Sequence, residues 1–105
     1  MLMFLVLLRF SRNKANASQF MDGHNAWLKD GFDKGFFHLA GTIQPKLGGA
    51  ILGHNMAPED LQQLVQEDPL VAEGVVSAEI IQITPSMASA QLGFLLEDRH
   101  GTKLA

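Results

Sequence analysis

The stretch MFLVLLRF, Met3 to Phe10, is apolar at odd and even positions alike, with Arg9 as its only charge. A strand with one wet face alternates apolar and polar residues, so a run without alternation belongs to a strand covered on both sides. Any fold open to this chain must therefore supply two layers of cover for one strand. At 105 residues the chain suits a single domain, small enough that association with a second copy would help to bury apolar surface. The opening MLMFLVLL is not expected to be a targeting or membrane segment. It lacks a basic n-region, is too short to span a bilayer, and runs into RFSRNK with no small-residue cleavage site.

Turn and capping residues follow in SRNKANAS, and Asn16 or Ser18 can N-cap a helix that runs to about Gly35. FFHLAGTI, Phe36 to Ile43, has strand composition. QPKLGG, Gln44 to Gly49, holds turn residues, and Ala50 to His54 predicts a third strand; so short a link favours an antiparallel hairpin. A second helix starts in APED, with Pro58 in its first turn, Glu59 and Asp60 at the positive end of its dipole, and Leu61, Leu64 and Val65 on one face. Pro69 ends it, because the residue before a proline is pushed out of the helical region. Leu70 to Val75 is expected to be a connection or one extra turn, and Ser77 to Ile83 a fourth strand.

The order β-α-β-β-α-β is the ferredoxin-like α+β arrangement, a four-stranded antiparallel sheet with helices on one face. Its other face is most simply covered by the same face of a second subunit, which closes a dimeric α/β barrel. Residues 1–85 are expected to form this domain. Residues 86–105, with Met87, Ala90, Gln91 and Phe94 at helical spacing, are expected to form a helix or an arm lying on the partner, then a tail.

Charge and composition narrow the function classes. A formal charge of −3 and no basic cluster argue against nucleic acid as a partner. The absence of cysteine excludes disulfides, thiol catalysis and cysteine-based metal sites, and suits a cytoplasmic location. No glycine-rich phosphate loop and no nucleophile-elbow motif occurs, so nucleotide binding and serine hydrolysis have no support.

One histidine stands out. In DGHNAWL, His24 has Phe20, Trp27, Leu28 and Gly31 at helical spacing, which places an imidazole within an apolar stripe. On position alone it is a core or interface residue held by one hydrogen bond, or a functional group facing a cleft. His38 and His54 could join it around a metal, but no ligand spacing supports this, and no metal or cofactor is expected.

From the first strand through DGHNAWLKDGFDKG, FFHLAG, GGAIL and VQEDPLVAEGVVSAEIIQITP, about residues 3–85, the chain resembles the YciI-like (YCII-related) family of small bacterial proteins. The most specific points are the histidine of the first helix, the LAG closing the second strand, and the Asp-Pro that ends the second helix. The resemblance implies a dimeric α+β barrel related in architecture to muconolactone isomerases and antibiotic-biosynthesis monooxygenases. It also implies a site built on a histidine and an aspartate, which map onto His24 and Asp68, with Gly41 nearby. At least one member of the family is associated with dehydrochlorination of a chlorinated hydroxyquinol. The segment after Pro85 is longer than the family pattern requires, which allows a tail over the cleft.

A carboxylate that accepts from one imidazole nitrogen fixes the tautomer and strengthens the other nitrogen as a base. Asp68 before Pro69 is also a good helix N-cap, and the two roles are compatible if one oxygen caps and the other meets the ring. Gly41 either permits close packing at a strand end or brings a bare backbone N–H to an oxyanion. Arg9 is either ion-paired at the strand end or an anion clamp, and Trp27, with Phe36 and Phe37, is either core or a ligand cage. Arg9, Gly41, Trp27 and His38 are the candidate substrate-binding residues beside the His24–Asp68 pair. The chemistry expected is general acid/base isomerisation or elimination on a small cyclic or lactone-like compound. A dimeric module that binds a small molecule without catalysis is the other reading. No membrane partner is expected.

Overall fold

The structure is a computed structural model, and it describes residues 2–96. Strand β1 (Met3–Phe10) leads through a 3-10 turn (Lys14–Asn16) into helix α1 (Ala17–Asp33). Strands β2 (Phe37–Ile43) and β3 (Gly48–His54) form a hairpin, followed by α2 (Pro58–Gln66), a single helical turn α3 (Pro69–Ala72), β4 (Val76–Ile83) and a 3-10 segment (Ala90–Leu96). The sheet order is β2-β3-β1-β4, with every neighbouring pair antiparallel. This is the ferredoxin-like α+β fold that the order of elements predicts.

The doubly apolar β1 lies in the middle of the sheet, hydrogen-bonded to β3 on one side and β4 on the other. Strand alternation sends Phe4, Val6 and Leu8 to the helix side, where all three are buried. Register places Ile51 and Ile80 on either side of Val6. Leu61 and Val65 of α2, Leu70 of α3, and Val75 and Val76 complete this core. The alternate residues of β1, Met3, Leu5 and Leu7, face the other way, toward a side that carries no α-helix and is met by the 3-10 segment through Phe94 on His38 and His54. Leu39 (63% exposed) and Ile81 (36% exposed) lie on that side.

Local sequence explains the elements. Pro58 occupies the first turn of α2 and Glu59 and Asp60 follow it there, as expected. Gly31 is buried within α1, and a Cβ there would overlap the Phe37 ring, so the residue that weakens the helix intrinsically is what lets α1 lie close on the sheet. Gly35, at φ +80°, terminates the helix in the left-handed region.

Three boundaries move. β3 starts at Gly48 rather than Ala50, because Gly48 pairs with both Arg9 and Ile43; glycines that look like turn residues in the sequence extend the ladder. β2 begins at Phe37 rather than Phe36, and β4 at Val76 rather than Ser77, paired with Phe10. Beyond Pro85, only residues up to Leu96 are described. Within that range Leu95 is buried, while residues 97–105 of the expected tail, like Met1, lie outside the described part.

Candidate functional site

A cavity of about 620 Å³ opens between α1 and the helix side of β1, β3 and β2. The sheet makes room for it because the residues that share the parity of Leu8 there are small, Gly49 and Ala40, while Gly41, Gly48 and Ala50, of the opposite parity, also line the floor. Met21, His24, Asn25 and Leu28 of α1 form the opposite wall, and the β2–β3 turn contributes Gln44 and Lys46. The volume is that of a site for a small molecule, and the apolar walls with a few polar groups have the usual composition of one.

His24 is held in this wall by two elements. α3 is capped by Asp68, whose carboxylate Oδ1 accepts from the Leu70 N–H at 3.1 Å. The same Oδ1 lies 2.9 Å from His24 Nδ1. The approach of α1 to α3 runs through Gly23, where a Cβ would stand 3.0 Å from Cγ of Pro69. Trp27 stacks on the imidazole, with centroids 6.0 Å apart and planes at 26°. His24 is 9% exposed and Asp68 fully buried, so the contact sits where water does not screen it. Nδ1 donates to the carboxylate, which fixes the tautomer and leaves the Nε2 lone pair as the ring's acceptor.

The sharing of labour within Asp68 differs from expectation. One oxygen was to cap the helix and the other to meet the ring. In the structure Oδ1 does both, and the buried Oδ2 has no partner among the described residues.

The other candidates separate. Gly41 lines the cavity. Arg9 does not; it lies on the far face of the sheet, 2.7 Å from Glu79, with both side chains about half exposed. Trp27 is half-buried against the core, its indole N–H donating to the Leu64 carbonyl at 3.0 Å and its ring against Phe37. His38 is also on the far face, 2.8 Å from His54 and packed against Phe94 of the 3-10 segment. It follows the inward-facing Phe37, so alternation turns it there, and the bulge between Phe37 and Leu39 puts Leu39 on the same face. The three imidazoles therefore stand on opposite sides of the sheet and cannot share one ion.

Sequence reasoning passed over Met21, Asn25 and Lys46. Met21 and Leu28 stand three before and four after His24, so helical spacing alone puts them on its face. Lys46 had no such signal, since only the folded hairpin brings its turn over α1.

Neither a family model nor a curated protein matches the chain. Among solved structures it is similar to 5-chloro-2-hydroxyhydroquinone dehydrochlorinase from Burkholderia phenoliruptrix AC1100, in complex with 2,5-dihydroxybenzoquinone. The TM-score is 0.62 at 14% identity, over 82% of this chain and 95% of that one. The likeness is one of fold. That neighbour is an enzyme built on the same α+β architecture and binds a small ring compound. No helix among the described residues is long and apolar enough to cross a membrane.

The His38–His54 pair makes an acid-sensitive contact on the far face. Burial pushes both imidazoles below the ordinary histidine range, and His38 pushes His54 down further. In the unfolded chain they take up protons near about pH 6.5. Below that value the unfolded state binds more protons than the folded one, so the stability these groups contribute is complete above about pH 6.5 and is lost as pH falls through the depressed values. Urea midpoints at pH 7.5 and 5.5 are expected to differ more in the wild type than in a His38→Gln, His54→Gln double variant. Equal differences would remove the pair as a source of pH dependence.

Proposed function

We propose that this is a YciI-like enzyme in which His24, oriented by Asp68, carries a proton to and from a compact ring-shaped or lactone-like substrate. The observation that carries the reading is the buried 2.9 Å contact between His24 and Asp68 in the wall of a 620 Å³ cavity. A neutral imidazole whose Nδ1–H is held by a carboxylate offers Nε2 as a general base. Nε2 takes a proton from a carbon beside a carbonyl, and the electron pair then either expels a leaving group from the adjacent carbon, which is elimination, or is protonated at another position, which is isomerisation. Gly41 supplies bare backbone on the cavity floor, the kind of group that meets a developing oxyanion.

The working unit in this reading is a dimer of residues 1–85, with residues 86–105 as an added arm. The sheet face opposite α1 and α2 is the mating surface, because Leu5, Leu7, Leu39, Leu52 and Ile81 form an apolar layer that no α-helix of the described residues covers. Light scattering is expected to give the mass of a dimer for the wild type and of a monomer for Leu7→Asp, whose carboxylate would be buried at the centre of that layer. A monomeric wild type rules out the barrel.

The catalytic reading is tested by offering 5-chloro-2-hydroxyhydroquinone, the compound named for the structural neighbour, together with small lactones, and following product formation. Turnover is expected, and it is expected to vanish in a folded His24→Gln variant. Binding of 2,5-dihydroxybenzoquinone without turnover of any of these compounds would favour a ligand-binding module, a role in which Asp68 chiefly caps α3 and fixes the ring.

A further inference from the structure

The cavity has an electrostatic asymmetry that the His24–Asp68 pair does not use. Asp68 is not among its lining residues, and no other carboxylate lines it; the ionisable groups that do are His24 and Lys46. Lys46 makes no ion pair among the described residues, whereas Arg9, Lys29 and Lys34 each have a carboxylate partner. Arg9, the cation that the sequence offered as an anion clamp, is spent on Glu79 across the sheet. Lys46 is thus the one full positive charge on a wall that holds no negative one.

Its placement is fixed by the backbone. Lys46 sits at φ +55°, in the left-handed region that side chains other than those of Gly, Asn and Asp rarely adopt. The next residue is tied at both ends of its peptide: Leu47 N–H donates to Ile43 O at 2.8 Å, and Leu47 O accepts from Phe10 N–H at 3.0 Å. The turn is therefore pinned to β1 as well as to β2. It also carries Gln44, an uncharged donor beside the lysine at the same end of the cavity.

We propose that Lys46 determines substrate specificity, selecting small ring compounds that carry one anionic oxygen group, a carboxylate, phenolate or enolate. The proposal rests on the cavity being the substrate site, as argued above, and adds the chemical class it takes. His24 is buried and Lys46 is exposed, so the ligand lies with its charge toward the mouth and its ring against the inner wall. That orientation leaves the anion partly hydrated and avoids the desolvation that an anion at the inner wall would suffer. It also gives the substrate one orientation, because the reverse pose would put the anion among Leu8, Leu28 and Ile51.

The test uses two probes of the same shape, salicylate and salicylamide, titrated into the full chain and followed by amide chemical shifts of the cavity residues. The wild type is expected to bind salicylate about fivefold more tightly than the amide, the scale of one partly exposed, charge-assisted contact. Lys46→Met is expected to remove that preference by weakening salicylate alone, and Lys46→Arg to keep it. Lys46→Gly removes the charge and relaxes the positive φ together, so it reports on charge even if the methionine variant folds poorly. The preference is expected to shrink as salt is raised. Equal affinity for the two probes in the wild type, or a preference that survives Lys46→Met and Lys46→Gly, overturns the proposal. If the preference depends on Lys46 but turnover is indifferent to His24, the selectivity stands and the dyad reading falls. If neither probe shifts the cavity amides, the cavity is not a ligand site and both fall.

Discussion

Turnover by a His24→Gln variant is expected to fall by about 10²- to 10⁴-fold, the range that a positioned general acid or base contributes. Glutamine is the informative replacement. Its side-chain amide can donate to Asp68 Oδ1 as the imidazole Nδ1–H does, so the buried carboxylate keeps a partner, but it cannot take up or release a proton near neutral pH. Asp68→Asn probes the same pair from the other side. The asparagine oxygen can still accept from Leu70 N–H and from the ring, so the helix cap and the ring position survive. What is lost is the negative charge that stabilises an imidazolium during proton transfer, and turnover is expected to fall with the fold and the mass in solution unchanged. The pattern that sinks the mechanism is turnover by His24→Gln within about threefold of wild type in a protein whose spectrum and mass are unchanged, since no chemistry that depends on a proton-carrying imidazole loses so little.

The fold was legible because its strongest signals are local and repeated. MFLVLLRF demands cover on both sides, and the chain meets that demand on one face, where β1 runs down the centre of the sheet with Phe4, Val6 and Leu8 under the helices and Met3, Leu5 and Leu7 half-buried on the other. The caps and prolines of α2 and α3 act within a few residues of where they stand, so Pro58, Asp68 and Pro69 mark true boundaries. The site was legible only in part. His24 and Asp68 are 44 positions apart, and no periodicity joins them; their pairing came from a resemblance, and the geometry that brings them together depends on Gly23 meeting Pro69. His38 and Arg9 stand apart from the cavity: regular alternation along β1 sends Arg9 to the far face with Leu5 and Leu7, and His38 follows the inward-facing Phe37. Strand alternation decides which face a residue occupies, and the bulge at Phe37/Leu39 shifts the parity of β2 so that Leu39 joins His38 on the far face where the sequence shows nothing unusual. Lys46 was missed because what places it is the path of a turn, set by contacts to Ile43 and Phe10, rather than any pattern in QPKLGG.

The second large effect is on stability, and it is asymmetric between the two partners. His24→Ala is expected to destabilise the fold by about 3–5 kcal/mol, the range for stripping a buried charge of its partner. Asp68 is fully buried, its Oδ2 has no partner among the described residues, and without the ring its Oδ1 would be left with one backbone N–H. Asp68→Ala removes the charge as well as the contact. It loses a helix cap and leaves the ring nitrogen without an acceptor, which together amount to about 2–3 kcal/mol. Losing the histidine should therefore be worse than losing the aspartate, although the aspartate makes more hydrogen bonds. The double variant should be less damaged than the sum of the two singles by more than about 1 kcal/mol, because the penalty of the stranded carboxylate disappears along with the carboxylate. Denaturant unfolding of the four proteins measures this directly. If His24→Ala costs less than Asp68→Ala and the two effects simply add, then Asp68 is a helix cap that happens to lie beside an imidazole. The orientation of His24 would then have to come from Trp27, which stacks on it within the same helix.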